Sequence, residues 1–271
     1  MYSLKNETLE VQILDPIADR DRFGVRYCTG GYIFQVIDHK VGNLLSGPTY
    51  PDEFNWFDGQ GIPDAFNLQP LQEPNFGQEN ALILGIGVCN QHNKTITEPC
   101  TWKIQREAAS VTFLTHHQFD LWQVKLRRTL TLHARTIRSE TVLENLGSNL
   151  LPMRWFPHPF YPQPKENELC RINASIDPID DSAYELGPMG FLYRKAWPWQ
   201  KGHFLSLNHH AQGPLSIVQR HPKLGLIGAV GSYTPDFFAI WGNQHTISWE
   251  PYLERTIGPG QAYSWWIDYV F

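Results

Sequence analysis

The chain predicts an all-β fold, a large antiparallel β-supersandwich with few or no helices. Three observations carry that expectation. Segments that alternate apolar with polar residues, rich in Val, Ile, Thr and aromatics, recur along the sequence. No convincing amphipathic stripe at helical spacing appears. Gly, Pro, Asn and Asp punctuate the joints, as in "NLGSN" (145–149) and "IGPGQ" (257–261). Many short strands without intervening helices build a sandwich or barrel rather than a βαβ fold.

In chain order, the first clear strand is "YIFQVID" (32–38), followed by "SVTFLTHH" (110–117), "LWQVKLRRTLTLHA" (121–134) and "TIRSETVLEN" (136–145). The second half adds "FLSLNHH" (204–210), "LSIVQRH" (215–221), "LGLIGAV" (224–230), "FFAIWG" (237–242), "HTISWEPY" (245–252) and "AYSWWIDYVF" (262–271). Two stretches, 46–80 and 162–202, break this rhythm with turn formers and aromatics. Loops of such length in a compact domain serve as functional rims or lids. Neither a linker composition nor an internal repeat divides the chain, so 1–271 reads as one domain.

Composition narrows the function. The 271 residues are 42% hydrophobic and 18% charged with a formal net charge of −5, which fits a folded globule and offers no basic stripe for a phosphate backbone. A nucleic-acid partner is therefore not expected. No apolar run approaches the roughly 18 residues of a membrane span, and the N-terminus shows no secretory signal, so a cytoplasmic location is expected, with three sequons read as chance matches. Cys28, Cys89, Cys100 and Cys170 are irregularly spaced and read as reduced thiols rather than disulfides.

Common catalytic motifs are missing. His116-His117 and His209-His210 are neighbours on strands, so each pair points to opposite faces and cannot chelate one ion. Arg127-Arg128 and Arg194-Lys195 face apart for the same reason and read as solvated faces rather than a phosphate site. No G-x-S-x-G elbow or phosphate-cradling loop occurs, and the glycines of "GIGV" (85–88) read as sites of close strand packing.

Two polar residues stand out by their company. In "RWFPHPFYP" (154–162), His158 sits between two prolines in a run of aromatics. Proline fixes its own φ and cannot donate a ladder hydrogen bond, so this is a rigid strand end or loop. In "ISWEPY", Glu250 follows a Trp and precedes a Pro near a strand end. An imidazole and a carboxylate held stiffly under aromatic cover suit proton transfer to and from a sugar ring, with partial burial tuning both. Tryptophan is abundant, and Trp56, Trp155, Trp197, Trp199, Trp241 and Trp249 are candidate stacking surfaces for a pyranose.

The order of these segments resembles the aldose 1-epimerase (galactose mutarotase) superfamily. "TIRSETVLENLGSNLLPMRWFPHPFY" (136–161) is similar to the family's strand pair followed by a His-Pro-aromatic segment. "FFAIWGNQHTISWEPYLERTIGPGQAYSWWIDY" (237–269) is similar to its C-terminal signature of a strand ending in Glu-Pro, a Pro-Gly turn and a closing strand. The resemblance implies that the family's general acid falls on His158 and its general base on Glu250. The base takes the proton of the anomeric hydroxyl, the acid protonates the ring oxygen, and the ring opens and recloses without cofactor or metal. The family's sugar-binding arginine has Arg26 and Arg22 as candidates, and with Asp58 of the acidic loop and the stacking candidates Trp56, Trp155, Trp199 and Trp241, Arg26 makes up the expected sugar-binding set.

The sequence departs from the family where "ENALILGIGVCN" (79–90) offers no second histidine. The expectation is thus a mutarotase-like isomerase of a free or modified hexose, a monomer or weak homodimer, with a non-catalytic sugar-binding protein or a lyase on the same scaffold as alternatives. It places the imidazole and carboxylate about a pyranose width apart across one cleft.

Overall fold

The computed structural model describes residues 1–52, 54–66, 70–72, 79–195 and 202–271. Those residues contain no α-helix, only two three-residue 3₁₀ turns at Arg20–Arg22 and Pro188–Gly190. Two sheets form the sandwich. A ten-stranded antiparallel sheet runs, in spatial order, Tyr184–Leu186, Leu192–Arg194, Glu168–Ile172, Ser216–His221, Gly225–Gly231, Ala262–Val270, Thr136–Asn145, Trp122–His133, Ser110–Phe119 and Lys103–Arg106. The facing sheet runs His203–Leu207, Phe237–Gly242, Thr246–Ile257, Leu151–Pro157 and Asp64–Phe66, with Tyr161–Pro162 pairing on the Thr246–Ile257 strand. Smaller sheets at Tyr2–Asn43 and Asn80–Pro99 flank these two.

The strands expected from periodicity form within a residue or two at most ends, and Thr136–Asn145 and Phe237–Gly242 match in full. The Glu-Pro strand runs on to Ile257, because "YLERTI" continues the alternation past Pro251. The 162–202 stretch is not a plain loop: it supplies Glu168–Ile172, Ser175–Ile176, Tyr184–Leu186 and Leu192–Arg194. These strands are so short that turn residues mask their alternation. The 46–80 stretch, by contrast, is irregular over its described residues apart from Asp64–Phe66 and the strand beginning at Asn80.

The core lies between the two main sheets. Trp155 stands against Trp265 with ring centroids 5.2 Å apart, and Trp249 stacks on Tyr269 at 6.1 Å. Neighbouring strand residues do face apart, but not always both toward water. His116 is exposed, while His117 is buried and its Nε2 accepts the amide of Gly85 at 2.9 Å. Arg127 is exposed, whereas Arg128 turns into the sandwich and forms an ion pair with Asp64 across the two sheets. Arg194 is likewise buried and donates to Gln163 Oε1 at 2.7 Å and to the carbonyl of Glu166 at 2.8 Å. A solvated face is the wrong reading for these two arginines. Each finds oxygen partners inside the fold that sequence spacing cannot reveal.

Candidate active site

The site arises from a break in one strand pair. Leu151–Pro157 and Thr246–Ile257 pair in register up to Trp155↔Leu253, and pairing resumes at Tyr161↔Ile247. The register is the same on both sides of the gap, so His158 falls opposite Glu250, Phe156 opposite Tyr252 and Phe160 opposite Ser248. Proline explains the gap. The amides of His158 and Phe160 donate the other way, to the carbonyls of Pro63 at 2.8 Å and Gly61 at 2.7 Å. By alternation, positions 157, 159, 249 and 251 should donate across the gap, and three of these four are proline. The ladder bonds are deleted while the facing side chains stay aligned.

Those side chains form one contiguous polar group, with a hydrogen bond at each end and an N···O contact in the middle. His158 Nε2 lies 3.3 Å from Glu250 Oε1. Ser248 Oγ is 2.8 Å from His158 Nδ1, and the Tyr252 hydroxyl donates to Glu250 Oε2 at 3.0 Å. His158 is 3% exposed and Glu250 4%. Phe160 stacks on the imidazole with centroids 4.3 Å apart, and the Tyr27 and Trp241 rings meet it edge-on, each at 6.1 Å. Tyr252 stacks on Phe156 at 4.2 Å.

Burial sets the electrostatics. Desolvation pushes His158 well below the ordinary histidine pKa, with Arg26 pushing the same way. Desolvation also raises Glu250 to about 7, partly offset by the Tyr252 hydroxyl and by Arg26. Near neutrality the imidazole is therefore uncharged, and the carboxyl is divided between its acid and its anion. Two groups that can pass one proton between them are in contact.

The two side chains touch, rather than standing a pyranose width apart as expected. Paired strands bring facing Cα atoms within about 4.5–5.5 Å, and nothing wedges them apart here. Arg26 and the backbone of Asp58 meet around Tyr27, whose ring touches His158, while Trp56 packs beside Phe57. Arg26 lies over the rings of Tyr27 at 4.9 Å and Phe57 at 5.0 Å, and Tyr27 donates to the carbonyl of Asp58 at 3.4 Å. Trp56 lies flat against Gly24, where any Cβ would collide with the indole. Trp241 is half-buried beside His158. Arg22, the other candidate, stacks on Phe34 and Phe54 at 4.4 and 4.7 Å.

Trp155 does not belong to this set, and neither does Trp249. Both have the opposite strand parity to His158 and Glu250, so they point into the sandwich, 2% and 1% exposed. Trp197 and Trp199 lie outside the described residues. Phe156 and Phe160 belong to the aromatic run expected around His158, whereas Ser248, Tyr252 and Tyr27 are not indicated by that reading. Parity could have found Ser248 and Tyr252, which flank Glu250 two residues away on the same strand face. Nothing local marks Tyr27. Among the described residues no group of three or more His, Cys, Asp or Glu side chains could hold a metal ion, and no helix is long and apolar enough to cross a membrane.

The fold is an all-β supersandwich, with an imidazole and a carboxyl in contact on the sheet face opposite Trp155 and Trp249. The known proteins it resembles are found through structure. No protein-family model matches the sequence, and no curated protein does either. Solved structures do, at full length. A galactose mutarotase-related enzyme from Lactobacillus acidophilus superposes with a TM-score of 0.63 and 14% identity, covering 100% of this chain and 97% of that one. A galactose mutarotase-like protein from Lactobacillus casei gives 0.57 and 12% over 100% and 99% of the two chains. An aldose epimerase homologue from C. elegans gives 0.50 and 12% over 99% and 97%. The chain has the galactose mutarotase-like fold.

Proposed function

We propose that the protein interconverts the α and β anomers of a hexose or modified hexose by acid/base ring opening. The observation that carries this reading is the 3.3 Å contact between His158 Nε2 and Glu250 Oε1. In a cyclic sugar, the anomeric hydroxyl and the ring oxygen are bonded to the same carbon. A proton-accepting and a proton-donating atom this close together can each serve one of those two oxygens.

The proton balance also fits. With the shared proton on the carboxyl, Glu250 protonates the ring oxygen as the C1–O5 bond breaks, and its electron pair stays on O5. His158 Nε2 takes the hydroxyl proton while the C1=O1 bond forms. The pair is left as imidazolium and carboxylate, and closure on the other face runs with the roles exchanged. In this form the acid and base are the reverse of the assignment implied by the family resemblance. In this reading Trp241, which meets the imidazole edge-on, and Arg26, which acts on both groups, would contact the ring. That structural neighbours are known as mutarotase-related or mutarotase-like proteins supports chemistry of this kind.

The test is anomer exchange measured by NMR on a panel of free, acidic and phosphorylated hexoses. H158A and E250Q should each slow exchange about 10²–10⁴-fold with the fold retained. Wild-type rates in both variants would refute the proposal. A second reading, a sugar-binding protein without turnover, is favoured by the low exposure of both side chains. Sugar-dependent quenching of tryptophan fluorescence, with no exchange on any sugar, would select it.

A further inference from the structure

Ser248 is 0% exposed, and its Oγ sits 2.8 Å from His158 Nδ1, on the side of the ring away from Glu250. A hydroxyl can donate or accept by rotating, whereas a neutral imidazole must carry its hydrogen on one nitrogen or the other. The contact is therefore also a statement about tautomers.

Two arrangements are possible. If Ser248 donates to a bare Nδ1, the hydrogen is on Nε2 and points at an ionised Glu250. That form holds no acid: giving up the Nε2 hydrogen would leave an imidazolate. If Nδ1–H donates to Ser248, Nε2 is bare and faces a protonated Glu250. That form holds one acid and one base. Passing the proton from Oε1 to Nε2 turns it into imidazolium and carboxylate, with Nδ1–H still bonded to Ser248. Atoms and charge balance in both directions.

We propose that Ser248 is the positioning residue of this pair: its oxygen accepts Nδ1–H of His158 whenever the pair carries its exchangeable proton, which leaves Nε2 as the nitrogen that exchanges with Glu250 and substrate. This rests on reading the two side chains as an acid/base pair. The other charged or titratable side chains bearing on them, among the described residues, are Arg26, Tyr27, Tyr184 and Tyr252. None of them contacts Nδ1, so the side-chain partner of that nitrogen in either tautomer is Ser248.

Long-range ¹H–¹⁵N NMR of the full chain reads the tautomer directly. His158 should be Nδ1–H at pH 6 and switch to Nε2–H by pH 8. In S248A both forms lose one hydrogen bond, but the protonated pair is left with a buried, unpaired Nδ1–H and its imidazolium form loses a charge-assisted bond, so the switch and the alkaline limb of activity should both move down by about one pH unit, tenfold in proton affinity. Exchange at its optimum should slow about 10-fold or more, part of the 10²–10⁴ such groups supply, with KM unchanged. S248T, which keeps the hydroxyl, should restore the wild-type switch; if its added methyl disturbs the fold, the S248A spectra decide. Nε2–H in the wild type at pH 6, or an S248A switch at the wild-type pH, overturns the proposal. Absence of anomer exchange in the wild type would refute the acid/base reading instead, and the tautomer measurement would still decide the role of Ser248.

Discussion

The ion pair between Asp64 and Arg128 ties the strand beneath the site to the ten-stranded sheet. Both side chains are almost wholly buried, at 3% and 1% exposure. Asp64 pairs in register with Pro157, one residue before His158, and its carbonyl accepts the amide of Cys28 at 2.8 Å. The guanidinium also donates to Ser139 at 2.9 Å, yet Arg128 Nε and Nη1 and Asp64 Oδ1 have no hydrogen-bond partner among the described residues. Removing one partner leaves the other as an uncompensated buried charge, a loss of about 3–5 kcal/mol. R128M and D64N should therefore each lower stability by that amount in urea unfolding followed by tryptophan fluorescence. At roughly 2–4 °C per kcal/mol for a chain of this size class, Tm should fall by about 6–20 °C. An incompletely satisfied pair differs little in worth from an apolar one of similar volume. The double variant D64L/R128M should accordingly recover most of the loss. A single variant within about 1 kcal/mol of wild type, or a double variant that loses the sum of both singles, would refute this account.

Two further predictions concern pH. The carboxyl of Glu250 is raised to about 7, so the folded state binds its proton more tightly than the unfolded chain does, and stability falls as pH rises through the window between the ordinary glutamate value and about 7. E250Q should therefore be more stable than wild type at pH 8, by up to roughly 3 kcal/mol, and the advantage should vanish toward pH 4. Denaturation curves across that range check it, and a difference independent of pH would contradict it. His117 is lowered to about 4, chiefly by burial with a smaller contribution from His116, so here the unfolded chain binds the proton more tightly and stability falls as pH drops from about 6.5 toward 4. H117Q, which keeps an acceptor for Gly85, should flatten that acid-side loss in the same measurement.

The strands were legible from the chain because alternation is a local property: "TIRSETVLEN" shows its two faces without knowing its neighbours. His158 and Glu250 were legible for a related reason. Each is a polar side chain set among prolines and aromatics, and such placement is visible in a few residues. Parity was also on the page, and it separates Trp155 from His158 and Trp249 from Glu250. Reading tryptophans by type rather than by strand face put Trp155 among the sugar contacts, when it belongs to the core.

What the amino-acid order determined by itself was therefore the β architecture and two chemically apt residues. Only the tertiary structure decided that the two face each other at 3.3 Å, that Ser248 and Tyr252 complete the group, and that Arg128 lies buried against Asp64. The reason is that pairing between distant strands depends on which hydrogen bonds and apolar faces close across the whole sandwich. Burial, and with it the proton affinity of each group, follows from that closure and not from any stretch of sequence.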